Sequence, residues 1–111
     1  MQYTFTVAAI LRITQILNVW PCSDRATYRA IDEVATKLEL TATDREAVGW
    51  REQDGYARFI PDATIDKELD DLDVGLLRRM AENPPERLAW TRSERELQAA
   101  IFEPLGIELW L

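Results

Sequence analysis

Histidine is absent from this chain, and cysteine occurs once, as Cys22. Without an imidazole there is no Ser-His-Asp or Cys-His triad, no His-ligated metal and no histidine pH switch. A lone cysteine forms neither an internal disulfide nor a thiolate metal cluster. Positive charge is scarce: Lys and Arg total 13 against 20 Asp and Glu, a formal charge of −7. Such a field repels nucleic-acid phosphates and anionic membrane surfaces, so no direct nucleic-acid or membrane partner is expected. Only Lys37 and Lys67 are lysines among these cations, a bias that fits a GC-rich coding sequence. No run of about 18 apolar residues is present, which argues against a transmembrane helix. The first cation, Arg12, sits inside the first apolar stretch, the reverse of a secretory signal. A single thiol and no export signal predict a reducing, cytoplasmic setting. No glycine-rich turn, nucleophile elbow or cofactor fingerprint occurs, so neither cofactor nor metal is expected.

What remains is a balanced globular composition. The 111 residues are 47% hydrophobic and 30% charged, which fits one domain over 1–111. A domain of this size buries roughly two thirds of its unfolded surface and folds without staples.

Tyr3 to Val7 alternates like a short strand, or leads directly into a helix capped by Thr4 or Thr6. Val7 to Asn18 carries Ile10, Leu11, Ile13, Ile16 and Leu17 over a wide face, the mark of a central helix. Pro21 ends it. Ser23 or Asp24 caps a second helix to about Leu38, with Tyr28, Ile31, Val34, Ala35 and Leu38 on one face. Arg29–Glu33 and Glu33–Lys37 are opposite charges four residues apart on its other side. Thr43 to Glu46 reads as a capping box opening a short helix that Gly49 ends. Asp54-Gly55 predicts a hairpin with Trp50, Tyr56 and Phe59 in its strands. Ala63 to Glu68 suits a third extended piece. Asp70 or Asp71 caps a helix to about Glu82, with Leu72, Leu76, Leu77 and Met80 inward, and the prolines at 84 and 85 stop it. Leu88 and Trp90 are expected to dock in the loop that follows. Ser93 to Glu96 is a second capping box, for a helix to about Glu103. The sum is an α+β, mostly α domain: about five helices packed with a small β-hairpin.

The densest acidic stretch holds Asp62, Asp66, Glu68, Asp70, Asp71 and Asp73, offset only by Lys67. Three readings compete. Asp71-x-Asp73-x-Gly75 with Glu82 approximates a calcium loop, but the glycine falls one position early. A helix start enriched in Asp complements the helix dipole and needs no further role. An acidic surface offered to a partner with a basic groove is the functional alternative, because clustered carboxylates speed encounter with cationic clefts. Close carboxylate pairs are expected by chance among so many acids, so they carry no catalytic inference. Cys22 follows Pro21 near a helix start, yet no imidazole is available to act as its base. Of Trp20, Trp50, Trp90 and Trp110, the last is the best candidate for an exposed partner-binding anchor. If residues 107–111 form an edge strand, they offer a route to a homo-oligomer.

Thr6 ahead of Arg12-Ile13, then Ile16-Leu17, Pro21, Tyr28-x-x-Ile31-x-x-Val34, Leu40-Thr41-x-Thr43 and Asp54-Gly55 form a series of apolar spacings and one turn. Over about residues 4–60 this series resembles a group of small bacteriophage proteins of uncharacterised activity. The resemblance extends weakly to Leu72, Leu76 and Met80, and residues 84–111 depart from it. It implies a phage or prophage origin and a small accessory role, and carries no site residues. Together these features lead to the expectation of a non-enzymatic protein that binds and occludes a host protein. A structural component, such as a virion adaptor or homodimeric scaffold, is the alternative.

Overall fold

The first strand, β1 (Gln2–Thr6), runs without a break into α1 (Val7–Val19) in the computed structural model, which describes residues 1–60, 62–82 and 91–107. Both readings of this start therefore hold. Thr4 lies in the strand, and the Thr6 hydroxyl accepts the Ala9 N–H at 3.2 Å as the helix cap. β1 pairs antiparallel with β4 (Thr64–Glu68), with Phe5 opposite Ile65 and Tyr3 opposite Lys67. Alternation turns Phe5, Ile65 and Lys67 inward, and leaves Thr4, Asp66 and Glu68 outward. Thr4 donates to Asp66 across the pair at 2.6 Å. The extended piece expected near 63–68 is thus real, but its partner is the N-terminal strand.

α1 is central, as its wide apolar face predicts. It buries Val7, Ala9, Ile10, Ile13, Ile16 and Leu17 and packs against α2 (Arg25–Leu38), α5 (Arg95–Phe102) and β1. Trp20 is extended because Pro21 follows it. Asp24 caps α2 by accepting the Thr27 N–H at 2.7 Å. Ile31, Val34 and Leu38 are buried, but Tyr28, on the same stripe, is 64% exposed. Tyr28 lies beside Leu17 and Asn18, where α1 runs out and offers no more surface to cover a ring.

α3 (Ala42–Ala47) starts two residues earlier than the Thr43 box implies. Thr41 is the cap: its hydroxyl accepts the Asp44 N–H at 3.1 Å, and Asp44 accepts the Thr41 N–H at 3.0 Å. Then comes the hairpin, β2 (Arg51–Gln53) and β3 (Tyr56–Arg58). Asp54 and Gly55 have φ of +54° and +79°, the two positive values that a type I′ turn requires. Trp50 and Phe59 flank the strands instead of lying in them, and stack at its base with centroids 5.3 Å apart.

α4 (Asp71–Glu82) packs against α2 and buries Leu76, Leu77 and Met80, but Leu72 is 83% exposed. The inward stripe runs 73, 76, 77, 80, so an aspartate holds the first-turn position that Leu72 was expected to fill. A 3₁₀ turn (Arg92–Glu94) precedes α5, and the Ser93 box does not form. Thr91 donates its N–H and hydroxyl to Glu94 instead, at 3.4 and 3.1 Å, while Glu94 also pairs with Arg12 of α1 at 3.0 Å. After α5, Gly106 has φ +71° and lets the Ile107 N–H reach the Phe102 carbonyl at 3.1 Å. That turn seats Ile107 in the core.

The result is an α+β, mostly α fold, with five α-helices and two two-stranded antiparallel sheets among the described residues. The expected proline stop at 84 and 85, Leu88, Trp90 and Trp110 lie outside the described residues. Leu77→Ala should cost about 2–5 kcal/mol in urea denaturation, and Leu72→Ala no more than about 0.5 kcal/mol. Equal losses would contradict this packing of α4.

Candidate functional site

The six carboxylates of the acidic stretch separate into two groups. Asp62, Asp66, Glu68, Asp70 and Asp71 are exposed, whereas Asp73 is 3% exposed and belongs to the interior. Asp66 and Glu68 sit on the outer face of β4, and Glu68 receives the Met1 amino group. Asp70 and Asp73 cap α4 reciprocally: Asp70 accepts the Asp73 N–H at 2.9 Å, and Asp73 accepts the Asp70 N–H at 3.0 Å. The segment Asp71 to Gly75 is therefore the first turn of a helix and not a coordinating loop.

Two lysines neutralise the inner acids. Lys37 on α2 reaches Asp73 at 2.6 Å and Asp70 at 3.3 Å, so it pairs across elements and not with Glu33 on its own helix. Its hydrogen bond to Asp73, seconded by Asp70, raises its ammonium above the ordinary lysine value against partial desolvation. Lys67 on β4 is 8% exposed. Its ammonium donates to Asp44 at 2.7 Å and to the Glu39 carbonyl at 2.6 Å. A buried ammonium needs such partners, since stripping its water costs several kcal/mol. One lysine thereby fixes β4 against the α2–α3 junction, and the other fixes α4 against α2.

Asp44 serves the α3 cap and the Lys67 pair at once. Partial burial pushes its carboxyl up, but the Lys67 ammonium and the hydrogen bonds with Thr41 outweigh this and hold it below the ordinary aspartate value. Asp70 is also lowered, first by the Asp73 N–H and then by Lys37. Its charge therefore persists into acid.

One face of the hairpin carries the opposite sign, although Glu52 and Asp54 leave the hairpin neutral as a whole. Arg51 lies directly opposite Arg58, and neither has an acidic partner among the described residues. Arg45 stands over the Trp50 ring at 5.2 Å and braces the hairpin base. Beneath it a cleft of about 370 Å³ opens between Ile10, Leu11, Thr14, Leu40, Arg45 and Trp50. Trp20 and Trp50 are half-buried. Cys22 is exposed and lies 3.4 Å from the Trp20 carbonyl.

Ile107, readable from the sequence as the start of either a terminal strand or an exposed end, is buried in the protein's own core, and residues 108–111 lie outside the described residues. No described helix is long and apolar enough to cross a membrane. No family model matches the chain, and no curated protein or solved structure matches it.

Sequence reasoning missed both lysine clamps. The low lysine content was the available signal, together with the Thr41-x-x-Asp44 spacing. Lys67→Ala should cost on the order of 3 kcal/mol, measured by chemical denaturation, because it leaves Asp44 and a carbonyl without their cation. The lowered Asp44 and Asp70 contribute stability that is complete above the unfolded aspartate pKa, about 3.9, and is lost as pH falls through their folded values. Acid titration should therefore show stability falling below about pH 4. Asp44→Asn should flatten that slope, and an unchanged slope would refute the assignment.

Proposed function

We propose that this is a phage-like accessory protein that acts without catalysis, by binding and occluding a protein with a basic groove. The supporting observation is how charge is distributed. Lys37 and Lys67 are both committed to structural pairs, with Asp73 and Asp44 as their inner partners. Asp62, Asp66, Glu68, Asp70 and Asp71 remain exposed along one stretch of chain that spans the outer face of β4 and the start of α4. The sheet and the capped helix hold this stretch on ordered backbone, so little conformational entropy is lost when it meets a partner. The net charge of −7 adds long-range attraction to a cationic groove.

The residue chemistry fits the same reading. The sequence has no histidine to act as a general base. The buried Asp73 and the half-buried Asp44 are tied to helix caps and lysines. A nucleic-acid-binding or defence protein of the host has the groove chemistry that this surface suits.

Affinity capture from a bacterial lysate, followed by mass spectrometry, tests the proposal. The expected product is a basic protein whose capture weakens between about 0.1 M and about 1 M salt, as the Debye length shrinks from about 10 Å to about 3 Å. The triple variant Asp62→Lys, Asp66→Lys, Asp71→Lys should lose it. Capture indifferent to salt and to this charge reversal would refute the acidic surface as the binding element.

A further inference from the structure

Every described strand in this protein is an edge strand. β1 pairs only with β4, and β2 only with β3. Unpaired strand edges invite pairing with other chains, and proteins commonly guard them with charge. Here one face of each sheet carries a guard of opposite sign, while Glu52 lies on the other face of the hairpin and Asp54 in its turn. The outer face of β4 shows Asp66 and Glu68, and one face of the hairpin shows Arg51 and Arg58 with Tyr56, which is 75% exposed. The guards repel hairpin from hairpin and β4 from β4. Between a hairpin and a β4 they attract.

Beyond its base, where Trp50, Phe59 and Arg45 stack, the hairpin has no burial to support it. All six of its strand residues are exposed, and a two-stranded hairpin alone is marginal in water. Two arginines placed directly opposite each other weaken it further. Carboxylates set between those guanidiniums would remove that repulsion. Alternate residues on one face of β4 lie about 7 Å apart, and cross-strand partners in the hairpin about 5 Å apart. Long arginine side chains span the difference.

We propose that the hairpin docks onto the β4 face of a second copy of this chain, with Arg51 and Arg58 engaging Asp66 and Glu68. The contact is heterologous: each copy gives one face and receives the other, so assembly proceeds head to tail. It rests on reading the acidic stretch as a protein-binding surface, and it adds that the protein itself competes for that surface. Exposed ion pairs are individually weak, so association is weak and salt-sensitive.

Sedimentation velocity at about 1 mM protein reads this out. Wild-type protein should associate at about 0.1 M salt and dissociate at about 1 M. The double variant Arg51→Glu, Arg58→Glu should be monomeric, as should Asp66→Lys, Glu68→Lys. An equimolar mixture of the two variants offers one wild-type contact and one with both signs reversed, and should associate again. Asp66 and Glu68 bond to Thr4 and Met1, so Asp66→Asn, Glu68→Gln provides a milder second variant with the same expected loss. A wild-type monomer at low salt would overturn the proposal, whatever else the hairpin binds. So would variants that associate like wild type, or a mixture that stays monomeric. The arginine variant keeps its acidic stretch and should still capture a basic partner. Loss of self-association with retained capture, or the reverse, therefore separates this inference from the function proposed above.

Discussion

An ammonium drawn out of water has to meet oxygen on every side it turns away from solvent, and in this fold that demand falls on Lys67. It stands on the inner face of β4, where alternation would otherwise place an apolar residue like Ile65. Its partners come from two other places: the carbonyl that ends α2 and the carboxylate that caps α3. The position of β4 is thereby set by geometry and not by apolar contact alone. β4 in turn fixes β1, and β1 leads directly into the central helix. Hydrophobic burial supplies the bulk of the driving force, but it is nondirectional. The lysine and its two acceptors define which strand residue faces the α2–α3 junction.

Lys37 repeats the device on the opposite side of α2. It reaches α4 through Asp73, an acid at an inward helical position. Both clamps join a cation to a carboxylate that is also a helix cap, so cap, ion pair and interelement contact fall on one side chain. Such sharing makes removal of one partner costly, because the survivor is left with an unmatched charge. The same sharing has a surface consequence. With Lys67 turned inward, the outer face of β4 has no cation of its own strand to balance its acids.

Local signals were legible in the sequence, and distant ones were not. The helix over Val7–Val19, the cap at Asp24, the Asp54-Gly55 turn and the stop before Pro21 each depend on residues within a few positions, and each was readable. Two caps moved. Thr41 displaced Thr43 because Asp44 is also wanted by Lys67, a residue 23 positions away. Thr91, bonding to Glu94, took the place of the expected Ser93–Glu96 box, and Glu94 also meets Arg12 on α1. Leu72 looked apolar and therefore inward, yet the stripe through 76, 77 and 80 passes through 73. Only the position of Lys37 on the neighbouring helix makes an aspartate acceptable there. The acidic stretch was visible as composition, but its division into inner and outer acids was not. That division depends on the partner strand and on α2, both far along the chain.

The buried Lys67 and the exposed hairpin arginines reflect one difference in chemistry. An ammonium is a compact point charge with three donors, which suits a pocket built from one carboxylate and one carbonyl. A guanidinium is planar, more weakly hydrated and rigidly forked, which suits open faces and aromatic rings. Arg45 lies over Trp50 at the base of the hairpin, and Arg51 and Arg58 stand free on its strands. Of the two lysines only Lys67 is an interior ammonium, while Lys37 stays exposed and reaches inward to the buried Asp73. The excess of acid over base is then expressed mainly at the surface, on β4 and the α4 start. The arginines are spread over several elements, and the hairpin sets Arg51 and Arg58 on one of its faces while Glu52 and Asp54 keep it neutral overall.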